Sequence, residues 1–201
     1  MLSLVKSLKP LMKQAKRYDR LNLRLIESQS SDAFAIAGGH LLITRGLLKT
    51  CESEAALVGV LAHELSHLDR GHLIIPLKQL KLARQPISFQ KSMMWINLVT
   101  RPLRPEQERE ADSDATEWMM AVGYSPRELA SLLNRWDQQQ QQTMPWMQFI
   151  PGFVKTHPNP GKRSRDVLLA ADKLKLKFPE ATYVGAQNLR QLTPKAKPQL
   201  P

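Results

Sequence analysis

The stretch Ser53-Glu-Ala-Ala-Leu-Val-Gly-Val-Leu-Ala-His63-Glu64-Leu-Ser-His67-Leu-Asp-Arg-Gly-His72 decides how the rest of this 201-residue chain is read. It is rich in Ala, Leu and Val and interrupted only by Gly59, so it predicts a helix from Ser53 to about His72. On a helix, positions four apart lie about 40° apart around the axis and one turn along it, so His63 and His67 point the same way. Two imidazoles so placed can share one tetrahedral zinc ion. Glu64 then stands beside the open coordination position, where a carboxylate can take a proton from a metal-bound water and return it to a leaving amine. The bland reading is an amphipathic helix with two hydrogen-bonded core histidines. A helix this apolar rarely hosts His, Glu and His together without a use. His72 does not extend the motif to a three-histidine pattern, whose third histidine would fall on Leu73 and whose glycine on Arg70. On a continuing helix His72 lies about 180° from His63, so it is expected to face away from the metal as a structural or helix-ending residue.

Upstream of this helix, Ala33-Phe-Ala-Ile-Ala37 and His40-Leu-Leu-Ile-Thr44 are short apolar runs joined by Gly38-Gly39, a hairpin signal. Leu21 to Ile26 alternates as a strand with one buried face, and residues 1–19 read as a basic amphipathic helix. Downstream, residues 73–98 have helical composition with breaks at Pro76 and Pro86, and Thr100–Pro105 is a connector. Pro105 suits the first turn of a helix running to Val122 and ending at Gly123. Ser125-Pro-Arg-Glu128 is a capping-box start for a helix reaching the glutamine tract Gln138–Gln142. Thr143–Pro160 is expected to be a loop, with Trp136, Trp146 and Met147 available to line a cleft or lid. A last helix is expected over Lys162–Lys177. The pattern predicts a mostly helical α+β fold, a small β-hairpin or sheet packed against the HExxH helix. Residues 1–192 are expected to form a single catalytic domain, and residues 193–201 a disordered Pro/Lys-rich tail.

A third metal ligand must come from elsewhere. Glu106-Gln-Glu108-Arg-Glu110-Ala-Asp112 opens the next strong helix, and Glu108 and Asp112 share a face at i, i+4. A glutamate ligand with an aspartate one turn later supplies the third ligand and an acceptor for a ligand histidine's outer N–H. An acidic first turn complementing the helix dipole is the competing reading. Glu106, Glu110 and Asp114 are the rival ligand positions.

Composition removes other classes. One cysteine, Cys51, excludes a disulfide framework and a Cys-based zinc cluster and is expected to be a buried small apolar residue. No apolar run approaches a membrane span, the longest being 93–99, and no secretory signal core is present, so a soluble cytoplasmic protein is the default expectation. A periplasmic or membrane-associated protein is the alternative. Lys plus Arg number 29 against 18 Asp plus Glu, a formal charge of +11. With only 6% aromatic residues and no basic–aromatic stripe, nucleic acid is not the expected partner. An anionic membrane surface remains a candidate, through the basic N-terminal segment and the 93–96 apolar knot.

Four segments together resemble the zinc metallopeptidases that include HtpX, the BepA/YcaL-type and mitochondrial OMA-type proteases and the CAAX prenyl protease. They are Phe34-Ala-Ile-Ala-Gly-Gly-His-Leu-Leu-Ile-Thr-Arg-Gly46, His63-Glu-Leu-Ser-His67 with Gly71-His72, Glu108-Arg-Glu-Ala-Asp112, and Thr156-His-Pro-Asn-Pro-Gly-Lys-Arg163. The resemblance covers residues 20–170. It implies one zinc per chain held by His63, His67 and Glu108, with Glu64 as general base and Asp112 behind the ligands. The implied activity is hydrolysis of peptide bonds in unfolded or misassembled polypeptides. A zinc-binding, chaperone-like or interaction module without cleavage is the alternative. The segment Phe34, Ala35, Ile36, Ala37 and Gly38 is the expected substrate strand, pairing with an extended peptide through backbone hydrogen bonds. His157 or Arg163 is expected to stabilise the oxyanion. In some BepA-type relatives the equivalent of His157 takes the fourth zinc position and holds the enzyme latent. Asp32 and Ala37 stand where relatives often have Asn and Pro, changes that touch the hairpin and not the metal.

Overall fold

The computed structural model describes residues 1–36, 38–72, 103–142 and 152–187. Ala37, the helical stretch expected over 73–98 with its 93–96 knot, Trp146, Met147 and the 193–201 tail lie outside the described residues. Three strands form one sheet in the order β1-β3-β2: β1 (Asn22–Ile26), β2 (Ala33–Ile36) and β3 (His40–Thr44). β2 and β3 are the antiparallel hairpin read from the Gly-Gly signal, and both glycines have positive φ, 100° and 84°. Their register pairs Ala33 with Ile43 and Ala35 with Leu41, so these four buried side chains line one face. β1 runs parallel to β3 and corrects one expectation. Leu23 is its most covered residue, half-buried, and Leu25 and Ile26 are exposed, because among the described strands β1 is an outer one.

The N-terminal segment is also not a single helix. Helix α1 (Leu2–Leu8) gives way to a 3-10 turn at Lys9–Leu11 and another at Ala15–Arg17. Pro10 is the reason: it has no amide hydrogen, and its ring clashes with the carbonyl one turn back. Leu4, Val5, Leu8 and Met12 nonetheless reach the core.

A short helix α2 (Arg45–Thr50) leads to α3 (Glu54–Arg70), the HExxH helix. The Ser53 hydroxyl accepts from the Ala56 amide at 3.1 Å, and the amides of Glu54 and Ala55 donate to the carbonyls of Gly185 and Val184. The first turn of α3 is thus tied, and every residue from Glu54 to Asp69 is buried. Around it pack α4 (Pro105–Ala121), α5 (Arg127–Gln142), α6 (Gly152–Thr156) and α7 (Pro160–Leu174). α4 starts on Pro105 as read, and the chain leaves it at Gly123 with φ 80°. The Ser125 start differs in its partners: the Glu128 carboxylate accepts from the Ser53 hydroxyl at 2.8 Å, and the Ser125 amide donates to the Tyr183 carbonyl. α6 occupies part of the segment expected to be loop, and α7 spans Pro160–Leu174 rather than 162–177, with Pro160 in its first turn. Cys51 is buried, and burial pushes its thiol up to about 12. No helix among the described residues is long and apolar enough to cross a membrane.

Gly59 sits where α3 meets α5. A Cβ there would lie 2.8 Å from the Leu129 Cβ and 3.1 Å from the Met119 sulfur. Gly→Ala in a helix interior ordinarily stabilises by about 0.5–1 kcal/mol. Here Gly59→Ala is expected to lower stability by about 1–3 kcal/mol through overpacking. The denaturation midpoint measures it, and a gain in stability would show that the α3–α5 contact yields freely.

Candidate metal centre

α3 presents His63 and His67 one turn apart, and α4 crosses it with Glu108 and Asp112 on the facing side. The residue after α6 is His157, and the first turns of α7 deliver Arg163. His63, His67, Glu108 and His157 each offer a ligand atom, all within 4.8 Å of one another, and all four residues are buried. The separations are 3.0 Å between the two α3 Nε2 atoms, 3.5 Å from each to a Glu108 oxygen, 3.3 Å from His63 Nε2 to His157 Nδ1, and 2.9 Å from His157 Nδ1 to Glu108 Oε1. Ligand atoms around a tetrahedral ion with bonds of 2.0–2.2 Å stand roughly 3.3–3.6 Å apart. The 3.3 and 3.5 Å separations fall in this range and those of 3.0 and 2.9 Å are shorter, so the four donors converge closely enough for a small divalent metal ion to sit among them. Glu64 adjoins it, its Oε1 3.4 Å from His157 Nε2 and without a hydrogen-bond partner among the described residues.

Behind these groups lies Arg163, also buried. Its Nε and Nη2 donate to the two Asp112 oxygens at 2.7 and 2.8 Å, and its Nη1 lies 2.9 Å from Glu108 Oε2 and donates to the His157 carbonyl at 3.3 Å. Asp112 in turn sits 2.9 Å from His63 Nδ1. This chain sets the protonation of the cluster. Burial alone would raise the Glu108 carboxyl, but His157 and Arg163 outweigh it and hold it far below the usual range. Burial likewise opposes ionisation of Asp112 and is overcome by Arg163, leaving it low. Burial and Arg163 both disfavour a charged His63, yet Asp112 and Glu108 lift it to about 9. Burial drives His67 well down, and burial raises Glu64. A region that holds a proton on His63 between two ionised carboxylates is one where a cation is welcome.

Among the rival carboxylates, Glu110 faces His72 and Arg70, Asp114 accepts from Ser66 and Arg70, and Glu106 lies beside Arg109 at the surface. Glu108 alone among them joins the cluster. His72 departs from its expected direction. The helix ends at Arg70, Gly71 takes φ 71°, and His72 turns back so that its Nδ1 lies 2.8 Å from His67 Nδ1. A 180° separation holds only on a continuing helix, and α3 does not continue. Phe153 carried no signal of its own; its ring stacks on His157 at 4.2 Å and 19°, backed by buried Trp136 at 4.8 Å. Trp136 is core rather than cleft lining. Of the expected substrate strand, Phe34 and Ile36 are half-buried, Ala35 is buried and Gly38 is exposed, on a strand that is outermost in the described sheet.

Arg163→Met removes the cation shared by Asp112 and Glu108. The metal-free variant is expected to lose about 3–5 kcal/mol of unfolding free energy, the cost of buried charges left unpaired. Denaturant titration of metal-free protein measures this, and an unchanged midpoint would mean the carboxylates are compensated without it.

Comparison with known proteins places this arrangement. The model of peptidase family M48 matches residues 3–97 and 88–171. The mitochondrial metalloendopeptidase OMA1 of Schizosaccharomyces pombe is 28% identical over 155 residues, which cover 72% of this chain and 45% of that protein. The β-barrel assembly-enhancing protease of Escherichia coli K12 is 24% identical over 173 residues, 75% of this chain and 34% of that protein. Its counterpart in Yersinia pestis is 26% identical over 174 residues with the same coverage. The chain spans less than half the length of these relatives.

Proposed function

This chain belongs to peptidase family M48, and from that premise we propose that it is a zinc-dependent endopeptidase acting on unfolded or misassembled polypeptides. The observation that carries the proposal is the convergence of buried ligand atoms of His63, His67 and Glu108, with a Glu64 oxygen beside them that has no hydrogen-bond partner among the described residues. One zinc per chain would be held by these three side chains, and when bound it supplies an acidified water and polarises the scissile carbonyl. Glu64 accepts the proton of the attacking water and passes it to the leaving amine. Its burial suits this work, because a raised carboxyl lies closer to the operating pH of a general base. Asp112 orients His63, and Arg163 keeps Asp112 and Glu108 ionised. With its donors directed to Asp112, Glu108 and the His157 carbonyl, Arg163 is better suited to positioning than to meeting an oxyanion, and that role falls to His157. An extended peptide would add to the outer side of β2, the strand whose Ala35 backbone favours the ionised form of Glu64.

A second reading has its own support. His157 Nδ1 completes a four-atom set, the closed arrangement of structural rather than catalytic zinc sites. In that form the chain is a zinc-holding interaction module, or a peptidase at rest until His157 swings away. Hydrolysis of casein by zinc-loaded wild type, Glu64→Gln and His157→Ala separates these. Glu64→Gln is expected to keep its zinc and lose cleavage by about 10²–10⁴-fold; His157→Ala is expected to cleave more slowly where His157 meets the oxyanion, and faster than wild type where His157 holds the enzyme at rest. Zinc at one per chain without cleavage by either wild type or His157→Ala would establish the non-catalytic module.

The working place we propose is an anionic membrane surface. Residues 1–26 carry Lys6, Lys9, Lys13, Lys16, Arg17, Arg20 and Arg24 against the single acid Asp19. The same segment exposes Met1, Leu2, Leu25 and Ile26. Salt-sensitive co-sedimentation with phosphatidylglycerol vesicles and none with phosphatidylcholine is the expected result; equal binding to both, or to neither, would remove the assignment.

A further inference from the structure

We propose that His72, anchored by Glu110, is the positioning residue that fixes the ring of His67 and the tautomer in which it can bind metal. α3 stops at Arg70, and the left-handed Gly71 reverses the chain, so that the His72 amide donates to the His67 carbonyl at 3.1 Å. The His72 ring then stands on the His67 ring with centroids 5.0 Å apart. His67 Nδ1 and His72 Nδ1 are 2.8 Å apart, and His72 Nε2 is 3.1 Å from Glu110 Oε2.

With Glu110 ionised and His72 neutral, these distances are satisfied by one arrangement of hydrogens. A carboxylate only accepts, so His72 Nε2 carries the hydrogen that Glu110 receives. Neutral His72 then has a lone pair on Nδ1, which must accept from His67 Nδ1–H. His67 is left with its lone pair on Nε2, the atom 3.0 Å from His63 Nε2 and 3.5 Å from Glu108 Oε1. Glu110 thus selects the metal-binding nitrogen of His67 from two rings away. His63 has the matching arrangement, with Nδ1 on Asp112 and Nε2 inward. Outward partners of this kind orient ligand rings and raise their basicity. For His67 the partner is a histidine buried to 6% exposure on a half-exposed glutamate, which itself lies 3.6 Å from Arg70. The anchor therefore reaches the surface at the groove between α4 and α7, which Glu110, Arg70 and Asp166 help line.

The inference rests on the metal-centre reading above but not on peptide cleavage, so its test is metal binding. Zn²⁺ affinity by chelator competition and the visible absorption spectrum of the Co²⁺ protein are measured for wild type, His72→Phe, His72→Asn and Glu110→Ala. Circular dichroism checks that each metal-free form is folded. His72→Phe keeps a planar ring but no acceptor and is expected to bind Zn²⁺ about 10–100-fold more weakly, with an altered Co²⁺ spectrum. His72→Asn puts an amide oxygen near the position of Nδ1 and is expected to recover most of the affinity and the wild-type spectrum, which a purely space-filling role would not allow. Glu110→Ala alters a half-exposed side chain and is expected to weaken binding about threefold to tenfold, so it decides the matter even if His72→Phe does not fold. Wild-type affinity and spectrum in both His72→Phe and Glu110→Ala, or His72→Asn no better than His72→Phe, would overturn the proposal. Failure of the wild type itself to bind Zn²⁺ would instead overturn the metal-centre reading.

Discussion

Arg163 is buried between Asp112 and Glu108, touching the oxygens of both, and the rest of the centre depends on that contact. Two ionised carboxylates withdrawn from water are tolerable only beside positive charge and hydrogen-bond donors. The guanidinium supplies both in a planar fork that faces the two Asp112 oxygens at once. Its position follows from α7, which begins at Pro160 after an Asn159 in the left-handed region and thereby brings residue 163 under α4. Asp112 can then spend an oxygen on His63, and Glu108 can turn both of its oxygens towards the ligand cluster.

α3 is the rigid member against which these pieces are set. Its polar cluster follows a run of Ala, Leu, Val and Gly from Ala55 to Ala62, in a helix buried from Glu54 to Asp69. Such burial requires close neighbours: Gly59 admits Leu129 of α5, and the alanines of β2 allow the sheet to approach. The ends of α3 do different work. At the front, Ser53 and the carbonyls of residues 184 and 185 satisfy its free amides. At the back, Gly71 ends the helix and folds His72 over His67, so that a capping geometry also supplies the outer partner of a candidate metal ligand.

His157 gives the centre its closed character. It stacks on Phe153, contacts Glu108 and approaches Glu64, and its Nδ1 lies where a fourth ligand belongs. The same nitrogen can complete a resting coordination set or, withdrawn, leave room for water and substrate. That choice depends on α6, a five-residue helix whose Phe153 amide donates to the Ser31 carbonyl and whose Thr156 carbonyl accepts from the Leu103 amide. Short helices are marginal without packing, so the restraint on His157 comes from Phe153, backed by Trp136, together with Glu108 and Arg163.

Much of this was legible in the residues themselves wherever the deciding physics is local. The i, i+4 spacing aligns His63 with His67, Gly38-Gly39 turns the hairpin, and Pro105 and Gly123 bound α4, because these follow from helix period, glycine's access to positive φ and proline's missing hydrogen. Glu108 and Asp112 were visible as a pair sharing one face, but not as the pair that meets the histidines. Choosing Glu108 over Glu106, Glu110 and Asp114 needs the crossing of α3 and α4, a packing angle no single segment encodes. His72 was misdirected for a related reason: one residue in the left-handed region reverses the chain, and every angle extrapolated beyond it is lost. The sequence by itself therefore determined which chemistry the chain carries and on which helix. Only the tertiary structure decided which carboxylate and which further histidines join it, because Glu108, 41 residues beyond His67, and His157, 94 beyond His63, are brought in by long-range packing rather than by local periodicity.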